Sequence, residues 1–261
     1  MKQYIVDVFA DSVFQGNPVA VCIQNDFLSD SIMKNIAREN NYSDTVFVRK
    51  DKDTYSLKCF TPGMELDFSV NAVLGAAFVI TKFLEKNSSE VSLQTIGGDI
   101  VVKLKDNMMY EMFCPQYHRR PRVIIDYIEK ALGVRPLEAY QGRGNMFVLP
   151  DEASVLALRP DQEMLKELKG FFVIVTALSS RKGIDCVSRV FSPILDISEQ
   201  QITGDSCCML TPYWCNRLGK NELICQQLSE RGGTVHSEFC DGLVKVSGKV
   251  VLYSRGDILE E

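Results

Sequence analysis

The run of apolar positions from residue 70 to residue 80 dominates the pattern of this chain. Ala72, Val73, Leu74, Ala76, Ala77, Phe78, Val79 and Ile80 predict a helix with no polar face. Such a helix is buried, in a protein or in a membrane. The run is far shorter than the ~20 residues a membrane span needs, so a core helix wrapped by strands is expected. Ser69, Val70 and Asn71 fall where the free N–H groups of its first turn point out.

The rest of the first half reads as strands around one amphipathic helix. Residues 4–9 and 19–23 alternate as strands, separated by the turn Gln15-Gly16-Asn17-Pro18. Ser29 or Asp30 caps a helix carrying Ile32, Met33, Ile36 and Ala37 on one face and ending near Asn40-Asn41. Strands are predicted over 45–48 and 55–60, with Asp44 placing a carboxylate directly at a strand start. Beyond the core helix come strands over 91–96, 100–104 and 108–113. Gly97-Gly98-Asp99 and Lys105-Asp106-Asn107 turn between them.

Residues 115–120 break this pattern and mark a domain boundary. A helix is predicted next, with Pro121 in its first turn, Val123, Ile124, Tyr127, Ile128, Ala131 and Leu132 on its face, and Gly133 ending it. Strands over 137–140 and 146–149, short helices near 152–158 and 162–168, and strands over 171–177 and 186–191 follow. The opening pattern then recurs: Phe191-Ser192-Pro193 matches Phe60-Thr61-Pro62, and an extended piece leads to a helix from Gly204. Strands over 224–228, 234–239, 243–246 and 250–253 close the chain. Strands joined mostly by hairpins argue for antiparallel sheet. The fold class is α+β, with two pseudo-duplicated domains over 1–115 and 121–248. The C-terminal strand near 249–261 completes the first. Two copies of one unit suggest that their equivalent helix starts face one cleft.

Composition narrows the function classes. The 261 residues carry a net charge of −5, which gives no global pull towards nucleic acid or an anionic membrane. His118-Arg119-Arg120 with Arg122 is the one compact basic patch and reads as a solvated linker. Nine cysteines without a C-x-x-C pair, and only two histidines, argue against structural zinc. They fit reduced thiols of a cytoplasmic protein. Cys207-Cys208, at a helix start, is either a reactive pair or two small core residues. The N-terminal stretch has a strand pattern and lacks the apolar core of a signal peptide.

Several motifs together resemble a known family. Asp7-Val8-Phe9 with Phe14-Gln15-Gly16-Asn17-Pro18-Val19-Ala20-Val21 is similar to the N-terminal signature of PhzF-like phenazine-biosynthesis proteins. Asn41-Tyr42-Ser43-Asp44-Thr45 resembles their N-x-S-E-T. The stretch from Phe60-Thr61-Pro62 to Asp67-Phe68-Ser69-Val70-Asn71-Ala72 resembles F-T-P…E-[VI]-D-[LF]-C-G-H-A. Glu199-Gln200-Gln201-Ile202-Thr203-Gly204-Asp205 resembles E-D-P-V-[TC]-G-S. The likeness runs in order to Ser229-Glu230-Arg231-Gly232-Gly233. It implies a diaminopimelate-epimerase-like fold and a cofactor-independent isomerase or epimerase of small molecules. It also implies a site between two similar domains and a homodimer; the charge balance is what leaves nucleic acid and membrane out as partners.

In the resembled family a glutamate carries the proton, helped by a histidine and an aspartate. Here those positions are Asp44, Asn71 and Gln200. The glycine before the histidine is Val70, the proline after the aspartate is Gln201, and the serine after the second glycine is Asp205. The cysteine pair of racemising relatives of this fold corresponds to Ser69 and Thr203. The resemblance therefore implies catalytic positions Asp44, Asn71 and Gln200, and substrate contacts from Ser69, Val70, Thr203, Gly204 and Asp205. Proton transfer at carbon needs a base with a pKa near the working pH, and Asp44 is the only carboxylate at an acid–base position. Asp44 also reads as a turn residue satisfying backbone N–H groups, and Asn71 and Gln200 as caps. The alternatives to an isomerase are a member that binds a small molecule or a protein without turnover, and thiol chemistry at Cys207-Cys208.

Overall fold

The computed structural model describes residues 1–52, 54–195 and 197–259. Residues 260 and 261 of the C-terminal stretch expected to complete the first domain lie outside the described residues. The chain divides into two compact units, one of Met1–Phe113 with Lys245–Glu261 and one of Cys114–Val244.

In the first unit the chain runs through β1 (Lys2–Val8), β2 (Asn17–Gln24), α1 (Asp30–Asn40), β3 (Asp44–Asp51), β4 (Thr54–Phe60) and β5 (Glu65–Leu66). It continues into α2 (Val70–Val79), β6 (Glu90–Thr95), β7 (Gly98–Leu104) and β8 (Tyr110–Pro115), whose last residues enter the second unit. The hairpin pairs β1–β2, β3–β4, β4–β5, β6–β7 and β7–β8 are antiparallel. The pairs β2–β3 and β4–β6 are parallel. Parallel neighbours need a crossover long enough to carry a helix, and α1 and α2 are the helices in those crossovers. Every residue of α2 is buried, as its unbroken apolar run requires. Gly75 lets it approach the sheet closely: a Cβ there would lie 3.2 Å from Val6 Cγ2 and 3.4 Å from Val19 Cγ1. A π-helical turn, Ile80–Leu84, extends α2. The other face of β2 and β3 packs Cys22 and Phe47 against Met33 and Ala37 of α1.

The second unit holds β9 (Arg120–Pro121), α3 (Asp126–Leu132), β10 (Glu138–Gln141), β11 (Asn145–Val148), α4 (Glu152–Ala157) and α5 (Gln162–Lys166). Then come β12 (Val173–Leu178), β13 (Cys186–Ser192), β14 (Ile197–Gln200), α6 (Cys207–Leu218), β15 (Glu222–Gln227) and β16 (Gly233–Cys240). β17 (Leu243–Gly248) leads back to the first unit, where β18 (Val250–Asp257) pairs antiparallel with β1. The pairings repeat those of the first unit step by step: β10–β11 antiparallel, β11–β12 parallel, β12–β13 and β13–β14 antiparallel, β13–β15 parallel, β15–β16 antiparallel. Side-chain alternation with a period of two splits its strands between two cores. Phe147, Val173, Val175, Val187 and Phe191 face α3, α4 and α5. Met146, Ile174, Cys186 and Val190 face α6. There the Trp214 indole N–H donates to Thr176 Oγ1 at 3.0 Å.

Two expectations need correction. Pro121 does not open a helix: it pairs with Tyr140 in the short β9–β10 ladder, and α3 begins five residues later at Asp126. A proline fits a short edge pairing as well as a first helical turn. Arg119 is not a solvated linker residue either. Its guanidinium carbon lies 5.7 Å and 5.4 Å from the ring centroids of Tyr140 and Tyr213.

Candidate active site

The left-handed residue Asn41 (φ 52°) ends α1 and turns the chain into β3, whose first residue is Asp44. Parallel pairing sets Asp44 opposite Val19 of β2. Asp44 is only 5% exposed. Burial pushes it above the ordinary aspartate value of 3.8, while hydroxyl donors on Ser69 and Ser43 oppose that rise. The position expected from the sequence is therefore a sheltered carboxyl that binds a proton more readily than a solvated one.

Its partners form a chain of polar groups inside the first unit. The Ser43 hydroxyl lies 3.1 Å from Asp44 Oδ2 and 2.8 Å from Asn17 Oδ1, and Asn17 is itself buried. One hydroxyl proton cannot serve both acceptors. With Asp44 ionised, Ser43 donates to Asp44. With Asp44 protonated, the carboxyl donates to Ser43 and Ser43 donates to Asn17. Ser43 and Asn17 were not singled out as site residues from the sequence. Each falls in one of the family-like motifs, but nothing local to either shows that Ser43 and Asn17 meet across 26 positions.

Ser69 joins Asp44 to α2. It is the N-cap of α2, its Oγ accepting from the Ala72 N–H at 3.3 Å while its hydroxyl donates to Asp44. Val70 and Asn71 form the first helical positions, both buried, Asn71 at 2% exposure. The amide of Asn71 has no proton to exchange in the working pH range.

In the second unit the region expected to bind substrate is a cap. Thr203 precedes a 3₁₀ turn, Gly204–Ser206, that runs directly into α6. Thr203 Oγ1 accepts from the Asp205 N–H at 3.3 Å, and the Ser206 hydroxyl donates to the Thr203 carbonyl at 2.8 Å. Gln227 braces this turn, accepting from the Thr203 N–H at 3.2 Å and donating to the Gln200 carbonyl at 2.8 Å. The Gln200 amide donates to Ser192 Oγ at 2.7 Å. Gln200 thus ties β14 to β13. Asp205 lies close enough to raise the Tyr117 phenol further, beyond what burial does.

Burial weighs against the thiol alternative. Cys207 and Cys208 are buried, and both thiols titrate well above their ordinary value. For Cys207 the main cause is burial. For Cys208 it is a hydrogen bond with Cys114, followed by burial. A thiol so placed is a core residue rather than a nucleophile. Among the described residues, no cluster of three or more His, Cys, Asp or Glu side chains is placed to hold a metal ion. No helix among them is long and apolar enough to cross a membrane.

Comparison with known proteins places this arrangement. Residues 6–256 match the model of a family described as phenazine biosynthesis-like protein (PhzC-PhzF). The chain is 37% identical over 253 residues to an uncharacterized isomerase of Pseudomonas aeruginosa, covering 97% of this chain and 96% of that one. It is 37% identical to a PhzF-family phenazine biosynthesis protein of Enterococcus faecalis, whose crystal structure superposes with a TM-score of 0.94 over 99% of each chain. A putative phenazine biosynthesis PhzC/PhzF protein of Clostridium difficile superposes with a TM-score of 0.92 over 100% of each chain, again at 37% identity.

Proposed function

Because the chain belongs to the phenazine biosynthesis-like PhzC-PhzF family, we propose that it is a cofactor-independent isomerase in which Asp44 moves a proton on a small amino-acid-like or cyclic acid. The matching series of strand pairings supports reading the two units as an internal duplication. In this reading the first unit supplies the proton carrier. The helix start Ser69-Val70-Asn71 supplies ligand contacts there, and the turn Thr203-Gly204-Asp205 is the corresponding helix start of the second unit.

One observation carries the proposal: a buried carboxyl at a strand start, raised above its ordinary pKa and bonded to two hydroxyls. The ionised form takes a proton from a substrate carbon, and the electron pair left behind moves into an adjacent unsaturated group. The protonated form returns that proton to a different carbon of the same system. Atoms and electrons balance with no second reactant. With Asn71 and Gln200 unable to exchange protons, one group does both removal and return. That favours a shift along one face of the substrate over inversion at a single carbon, which is served by acids on opposite faces.

A second reading, a family member that binds without turnover, is favoured by the bonds that occupy Gln200. The two separate in one experiment. A panel of small cyclic and amino-acid-like acids is incubated with the protein in D₂O and followed by mass spectrometry. The isomerase reading expects deuterium in a product, and its loss in Asp44→Asn. Exchange that persists unchanged in Asp44→Asn removes Asp44 from the chemistry. Binding of a panel member without exchange by the wild type supports the second reading.

A further inference from the structure

The two serines on Asp44 are not equivalent. Ser69 Oγ already accepts from the Ala72 N–H, and its hydroxyl donates to Asp44. That makes Ser69 a standing donor, which favours the ionised carboxyl. The Ser43 hydroxyl has two acceptors within reach, Asp44 Oδ2 at 3.1 Å and Asn17 Oδ1 at 2.8 Å. Ser43 can therefore serve either protonation state, provided its own O–H has an acceptor when the carboxyl becomes the donor. Asn17 is that acceptor, and among the described residues Ser43 has no other besides Asp44.

The local sequence pins Asn17 at this place. It opens β2 opposite Val8. Gly16 before it has φ 69°, and a Cβ there would lie 2.2 Å from the Val8 carbonyl oxygen, so only glycine fits. Pro18 after it keeps Asn17 extended. Parallel pairing of β2 with β3 then sets Asn17 beside Ser43. Asn17 is 3% exposed, and its bond with Ser43 is the one side-chain hydrogen bond it makes among the described residues. No charged side chain of β1, β2, α1, β4 or α2 acts on Asp44; burial and the Ser69 and Ser43 hydroxyls do. The direction of the Ser43 bond is thus the adjustable influence.

We propose that Asn17 is a positioning residue for proton transfer, accepting the Ser43 hydrogen bond whenever Asp44 is protonated, so that Asp44 is fully bonded both before and after it moves a proton. This rests on the isomerase reading, in which one carboxyl both takes and returns a proton. In the ionised state Ser43 donates to Asp44. In the protonated state Asp44 donates to Ser43, and Ser43 to Asn17. Only hydrogen bonds turn, and the Ser43 hydroxyl keeps its own proton throughout. Without Asn17, Ser43 becomes a standing donor like Ser69, and the acid form loses a bond.

The test is the ¹³C titration of Asp44 in the full chain, run as a double-mutant cycle. The shift that Asn17→Leu makes in the Asp44 midpoint should lie lower in the wild-type background than in Ser43→Ala. The expected difference is about half a pH unit or more, the size of one hydrogen bond. Any change of burial that leucine brings acts alike in both backgrounds and drops out. Equal shifts in the two backgrounds, or a difference of the opposite sign, overturn the proposal. A second measurement leaves Asn17 intact. Its side-chain amide ¹⁵N resonance should move with the Asp44 midpoint, and less than half as far in Ser43→Ala. An amide that ignores the titration overturns the proposal, as does one that follows it undiminished without the Ser43 hydroxyl. Neither measurement needs turnover. A protein that gives both expected results but exchanges no deuterium keeps the Asn17 link and loses the isomerase reading. One that exchanges deuterium with equal shifts in the cycle keeps the isomerase reading and loses the role of Asn17.

Discussion

Replacing Asp44 with asparagine should make the protein more stable at neutral pH, and the gain should depend on pH in a fixed direction. Burial holds the folded-state pKa of Asp44 above 3.8. A group whose pKa is raised on folding contributes stability that is complete below its unfolded pKa and is lost as pH climbs through the folded value. The stability of the wild type should therefore fall, relative to Asp44→Asn, from about pH 4 upwards and level off once the folded-state group is ionised. Each unit of elevation corresponds to about 1.4 kcal/mol. A change of 1 kcal/mol moves the melting temperature of a chain of this size class by about 2–4 °C. Asparagine keeps the shape and an acceptor for Ser69, so no cavity confuses the comparison. Urea denaturation of both proteins from pH 3.5 to 8 gives the difference curve. A flat difference, or a wild type that gains on the variant as pH rises, would refute the claim that burial dominates at Asp44.

Ser69→Ala removes both the cap of α2 and a donor to Asp44, so it should cost about 1–2 kcal/mol in denaturation and raise the Asp44 pKa further. A loss confined to stability, with the Asp44 titration unmoved, would break the link between them. Asp205→Ser should improve binding of small carboxylic acids in calorimetry near neutral pH. The acid removed repels a carboxylate within about 4 Å by ~1 kcal/mol in water and more when sheltered. Wild-type binding as tight as the variant's would leave Asp205 as a helix-start residue only. Of the nine cysteines only Cys240 is exposed, so a thiol reagent at neutral pH should label one site per native chain quickly. Rapid labelling of Cys207 or Cys208 would contradict their burial.

Much of this was legible in the order of residues, for reasons that differ between elements. The helix α2 announces itself because its every position is apolar, and Ser69 before it is an N-cap in sequence and in structure. Asp44 was visible as a carboxylate at a strand start. Its proton affinity was not, because that comes from burial, which the β2–β3 pairing and the start of α2 create and which the Ser69 and Ser43 hydroxyls only oppose. The parallel pairs were masked by the more numerous hairpin turns, although the predicted helices between the strands of β2–β3 and β13–β15 are the local mark of a crossover. Pro121 misled because one residue type serves two roles, a first helical turn and a short edge strand. Gln200 stands at a family position, yet its bond to Ser192 depends on the return of β14 against β13, which no local pattern records.

The role given to Asp44 rests on its being a carboxyl that holds a proton beyond the ordinary aspartate range. The most direct measurement is the pH titration of its side-chain carbon by ¹³C NMR in the full chain, assigned by its absence in Asp44→Asn. A midpoint above 3.8, moving higher still in Ser69→Ala, is the predicted result. A midpoint at or below that value would make Asp44 a permanently ionised partner of its two serines and would contradict its use as the proton carrier.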